Sequence, residues 1–112
     1  MKTLINVDSM KWHKIIEHPG LYGRDIIKRK DSIGFSLHYG KIVSGGMIDD
    51  PGHPNVEVYF IFKGKGRAKI GSKSFTFSKN CVITVQPNVS HKIENIGKDE
   101  LHLIAILRPA YI

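Results

Sequence analysis

The chain has 112 residues, enough for one hydrophobic core but not two, and its 41% hydrophobic and 24% charged content is ordinary for a globular domain. No apolar run approaches the roughly 18 residues of a membrane span, and the N-terminus carries Asp8 without a long apolar stretch. Neither a helical membrane span nor a secretory signal is expected, and a cytoplasmic location is the expectation.

Seventeen Lys and Arg against ten Asp and Glu give a net charge of +7. That balance suits an anionic small-molecule ligand. It makes nucleic acid a weak candidate, because no stacking aromatics interleave with the cations. Lys63, Lys65, Arg67, Lys69 and Lys73 fall in one alternating polar–apolar stretch, the pattern of a strand with one solvated face.

Residues 11–16 and 24–28 read as edge strands joined through the turn His18-Pro19-Gly20, within an N-terminal arm of residues 1–34. Trp12 is the expected packing anchor of that arm. From about residue 35 the pattern changes to short β runs broken by turn residues: 35–43, 56–63, 67–70, 73–77, 81–86, 90–96 and 101–107. Gly71-Ser72 is a two-residue hairpin turn. Cys81, the one cysteine, heads an apolar run and reads as a small buried hydrophobe. Seven strands without helical periodicity predict an all-β barrel or sandwich, with residues 1–112 forming a single domain.

Two segments carry the chemistry. In residues 52–64, Glu57, Tyr59 and Ile61 share one strand face while Val58, Phe60 and Phe62 share the other. In residues 86–95, His91, Ile93 and Asn95 share a face. An ionised Glu57 facing a barrel interior needs a metal or basic partner. If both polar faces point inward, His53, Glu57 and His91 converge. Two imidazoles and a carboxylate suit Fe(II), Mn(II), Ni(II) or Zn(II), with positions left for a small molecule. Tyr59 is the expected lumen hydroxyl and, with Glu57, a candidate catalytic residue.

These segments resemble the two motifs of the cupins, small double-stranded β-helix (jelly-roll) barrels. Gly45, His53, Glu57 and Gly64 match the first motif, and His91 and Asn95, with Pro87 in the preceding turn, match the end of the second. The resemblance spans about residues 35–107. It implies metal-dependent enzymes of dioxygenase, isomerase, lyase or decarboxylase type, and a homodimer. Four departures stand out. Pro51 occupies the place of the first motif's leading His, Asn80 and Asn88 replace glycines of the second, and Gln86 replaces its first Pro. Asn tolerates the left-handed backbone such positions need. Asp49, Asp50, His38 and His102 are candidates for a fourth ligand. The alternative is a metal-free barrel in which His53, Glu57 and His91 bond one another and the lumen binds a small ligand without catalysis.

Overall fold

The computed structural model describes residues 1–112 as two facing antiparallel sheets with no α-helix, a jelly-roll barrel. The strands are β1 (His13–Lys14), β2 (Leu21–Ile27), β3 (Ser36–Ile42), β4 (Met47–Asp50), β5 (Val56–Lys63), β6 (Lys65–Ile70), β7 (Lys73–Ser78), β8 (Cys81–Val85), β9 (His91–Asn95) and β10 (Leu101–Arg108). Sheet A runs β1-β2-β3-β10-β5-β8 and sheet B runs β4-β9-β6-β7. No helix is long and apolar enough to cross a membrane.

Alternation decides which side chains face inward. Along β10, Leu101, Leu103, Ala105 and Leu107 are buried, and along β5 so are Glu57, Tyr59 and Ile61, while Phe60 is exposed on the outer face. Ile42, Ile61 and Leu103 of sheet A meet Ile48, Ala68 and Ile93 of sheet B in one core. Burying each of the larger aliphatics contributes about 1.5–3 kcal/mol. Lys63, Lys65, Arg67, Lys69 and Lys73 are all exposed, as their alternation predicts. Cys81 is a partly buried free thiol against the core.

One strand was not expected. Met47–Asp50, outside the β runs read from the sequence, pairs with β9 in sheet B. Its Met-Ile-Asp-Asp run lacks clear β character, and a partner distant in sequence holds it in place. The arm also contributes more than an edge: β2 pairs with β3 along most of its length, after the turn through Pro19 and Gly20. Trp12 stands edge-on to Tyr39 at 5.0 Å, with the Arg24 guanidinium 4.0 Å and the Lys41 ammonium 4.6 Å from its ring centre.

Three turns fix the site-bearing loops. Asn80 and Asn88 both take positive φ, the left-handed conformation expected of them. Gly52 has φ +119°, and a Cβ there would stand 2.9 Å from the backbone carbonyl of Asn88. This close approach lets the Asn88 N–H donate to the His53 carbonyl at 2.7 Å, so the loops before β5 and before β9 are tied together. The last residues strap across the same end of the barrel. Asn55 Nδ2 donates to the Pro109 carbonyl at 2.6 Å, Tyr111 N–H to Ser36 Oγ at 2.9 Å, and Arg29 Nη2 to the Tyr111 carbonyl at 2.7 Å.

Candidate metal centre

Sheet register places the inner-face residues of sheet A in rows. Glu57 lies level with Leu107 and Val85, while Tyr59 lies level with Ala105, His38 and Asp25. From sheet B, His91 begins β9 and is the register partner of Asp50 on β4. His53 reaches in from the loop between β4 and β5. The expected convergence is therefore present: Glu57 Oε1 lies 3.1 Å from His53 Nε2 and 3.2 Å from His91 Nε2. All three side chains are nearly buried, His91 to 1% exposure.

The other ring nitrogens reveal the chemistry. His53 Nδ1 is 3.0 Å from the Asn55 carbonyl oxygen, and His91 Nδ1 is 3.0 Å from the Val89 carbonyl oxygen. A carbonyl can only accept, so each Nδ1 carries a proton and donates. A neutral imidazole then turns a bare Nε2 lone pair inward. Both Nε2 atoms lie within 3.2 Å of a carboxylate oxygen that, ionised, also only accepts. A proton or a metal cation between them removes the conflict, and backbone-anchored imidazoles around a carboxylate are how proteins orient metal ligands. The donor set thus fits a divalent ion.

Asp50 stands beside the two imidazoles. One ligand atom each from Asp50, His53 and His91 lie within 4.8 Å of one another. Asp50 Oδ1 accepts from the Gly52 N–H at 2.8 Å, which orients the carboxylate.

The remaining candidates sit elsewhere. Asp49 is exposed, and its N–H donates to His18 Nδ1. His102 bonds Tyr39 Oη at 2.6 Å and Glu100 at 3.1 Å, away from the cluster. His38 bonds Asp25 at 2.7 Å and Ser36 Oγ at 2.8 Å. Asn95 is structural: its Nδ2 donates to the carbonyls of Ile42 and Asp99, and its Oδ1 accepts from the Gly97 N–H.

Environment sets the protonation states. Burial pulls the His91 imidazolium down, but the hydrogen bonds to Glu57 and Val89 and the charges of Glu57 and Asp50 outweigh it, and its pKa is raised above 6.5. Burial, reinforced by the Glu57 charge, pushes the Tyr59 phenol well above 10. Tyr59 therefore holds its proton through the neutral range. Its ring centre is 6.2 Å from that of His91, and Tyr111 lies 5.8 Å from His53.

The cluster opens into a cavity of about 530 Å3. Its walls include Leu21, Ile48, Leu103 and Leu107, with Asp25 and His38 further along. Sequence reading missed Asp25, Ile15 and Tyr111 as lining residues. They belong to no motif and reach the cavity only through sheet closure and the C-terminal strap.

A family sequence model described as "Cupin domain" matches residues 39–107. An uncharacterized protein of Methanocaldococcus jannaschii is 34% identical over 55 residues, a match covering 49% of this chain and 44% of that protein. The matched stretch is thus less than half of that relative's length. Among solved structures, a predicted oxalate decarboxylase from Thermotoga maritima superposes with a TM-score of 0.86 at 17% identity, over 96% of this chain and 99% of that one. The cupin domain of Schizosaccharomyces pombe Cnp3 gives a TM-score of 0.80 at 18% identity, covering 96% and 74%. An RmlC-like cupin from Shewanella frigidimarina gives 0.83 at 13%, covering 99% and 94%. At these identities the structural likenesses establish the fold alone.

Proposed function

The chain belongs to the cupin family, and on that premise we propose that it holds a divalent metal ion through His53, Glu57 and His91, with Asp50 as the fourth ligand, and binds a small organic molecule in the adjoining cavity. The observation that carries this reading is the pair of Nδ1-anchored imidazoles whose Nε2 atoms lie 3.1 and 3.2 Å from one carboxylate oxygen.

The bound ion would supply Lewis acidity toward an oxygen of the captured molecule. The chain's own residues do the rest. The Asn55 and Val89 carbonyls hold the imidazoles in the ligating tautomer. Tyr59, kept protonated by burial and by the Glu57 charge, is a hydrogen-bond donor beside the site. Leu103, Ala105 and Leu107 provide an apolar wall that keeps water from the carbon skeleton of the ligand. Glu57 and Tyr59 are the candidate catalytic groups for an enzyme of the dioxygenase, isomerase, lyase or decarboxylase type.

One observation favours a second reading, a metal-free binding module. Glu57 Oε1 is within hydrogen-bond distance of both imidazoles, so a shared proton closes the network without an ion.

Metal analysis of protein purified without chelator separates the two, together with thermal melts in Fe(II), Mn(II), Ni(II) and Zn(II). Uptake near one ion per chain and a raised melting temperature support the metal centre. No response to any of the four supports the binding module.

The same reading includes a homodimer. Phe60, Val82 and Ile106 lie exposed on the outer face of sheet A, where Phe60 is the register partner of both Ile104 and Val82. An apolar sheet face of this kind is suited to pairing with a second copy.

A further inference from the structure

The cavity has a charge balance opposite to that of the chain. Of 17 Lys and Arg residues, Lys14 alone lines it, whereas Glu17, Asp25, Asp49, Asp50 and Glu57 all do. Lys65, Arg67, Lys69 and Lys73 are exposed on the hairpin of β6 and β7 and do not line it.

We propose that the cavity takes an uncharged, oxygen-bearing small molecule and discriminates against small carboxylate anions. This rests on the metal reading above and specifies the ligand of that same site.

The donor set is the first argument. Pro51 stands where an imidazole would complete three histidines and one carboxylate, a set leaving a divalent ion with one net positive charge. Asp50 supplies a carboxylate beside the two imidazoles instead, and Glu57 lies within 3.2 Å of both from the opposite sheet. Two carboxylates and two neutral imidazoles cancel a divalent ion, so no excess charge remains to draw an anion. A unit charge about 5 Å away, at an effective dielectric constant of about 20, changes an anion's affinity by well over tenfold.

The far end of the cavity is the second argument. Asp25 Oδ1 lies 2.7 Å from His38 Nδ1 and Oδ2 lies 3.3 Å from His13 Nε2. Asp25 and His38 share the row of Tyr59, with Ala105 between His38 and Tyr59. His38 and Tyr59 are therefore about 10 Å apart, two strand spacings. The small Ala105 side chain leaves room for a ligand between them. An acidic group there accepts from hydroxyl donors and repels a second carboxylate. The aliphatic walls between the two ends suit a carbon skeleton and no ion.

The test uses Mn(II)-loaded protein titrated calorimetrically with malonate and with malonamide, its uncharged counterpart of similar shape. The ratio of malonate to malonamide affinity is compared between wild type and Asp50→Asn. A rise of tenfold or more in the variant is expected, and a smaller rise overturns the proposal. If Asp50→Asn does not take up Mn(II), the double variant Glu17→Gln/Asp49→Asn, at exposed lining positions, gives the same comparison. A rise of threefold or more is expected there, and an unchanged ratio overturns the proposal. Metal content is measured before either titration. Wild type that takes up no divalent ion overturns the metal reading and this proposal with it, whereas a loaded protein whose ratio does not move overturns this proposal alone.

Discussion

Asp50 and His91 are register partners across β4 and β9, so their side chains project from the same face of sheet B into the barrel. With His53 they bring ligand atoms within 4.8 Å of one another, while Glu57 reaches the two imidazoles from the opposite sheet. The centre is thus built across the sandwich, two groups from one sheet, one from the other and one from a loop.

Removing His91 should abolish the response to metal. At a hundredfold excess over the dissociation constant an ion stabilises the native state by about 2.7 kcal/mol. In a domain of this size that raises melting by about 10 °C. His91→Ala should show no rise in the same titration, with far-UV circular dichroism unchanged. A full rise in the variant counts against His91 as a ligand.

The metal-free protein should lose stability as pH rises. The folded pKa of His91 lies above 6.5 because the bonds to Glu57 and Val89 and the nearby carboxylates outweigh its burial. Folding therefore favours the protonated ring. Its contribution is complete below about pH 6.5, the unfolded value, and disappears as pH climbs through the folded one. Melting temperature measured from pH 6 to 8 should fall, and His91→Gln should flatten the slope. With saturating metal the trend should reverse, since ion and proton compete for the same nitrogen.

Gly52→Ala should weaken the fold and the site together. A Cβ at φ +119° meets the Asn88 carbonyl at 2.9 Å, a strain of about 1–3 kcal/mol. Relief requires the His53 loop to withdraw from the turn before β9. Metal affinity should drop at least tenfold by competitive chelator titration, and unchanged affinity would show that His53 does not depend on this contact.

Asn95→Ala should act on stability without touching the centre. Its side chain satisfies two carbonyls and one N–H, and leaving these unpaired should cost about 3 kcal/mol. Denaturant unfolding should report that loss, while metal stoichiometry stays that of wild type.

Sedimentation should show a dimer at micromolar concentration. Phe60→Glu, which places a charge on the exposed face of β5, should yield a folded monomer. A wild-type monomer under these conditions removes the proposed pairing.

Much of this arrangement is legible in the sequence. Period-two alternation identifies β5 and β10 and the inward faces of Glu57, Tyr59 and His91, because a buried strand face constrains every second residue. Asn80 and Asn88 signal their left-handed turns. β4 is hidden, since Met-Ile-Asp-Asp shows little β character and is held by a partner remote in the chain. From sequence, Asp50 is consequently one of four candidates for a fourth ligand and is not singled out. Asp25 and Tyr111 carry no motif, and only closure of the sheets brings them to the cavity. Net charge does not describe the cavity for a related reason: composition counts cations without saying which side of a strand they occupy.

The C-terminal strap bears on how this protein should be handled at the bench. Tyr111 and Ile112 line the cavity mouth, tied down through Ser36, Arg29 and Asn55. A polyhistidine purification handle fused after Ile112 would be tethered beside the centre and would offer it surplus imidazoles, contaminating every metal assay. Fusion at Met1, which lines a separate depression with Leu4 and Met10, avoids that interference.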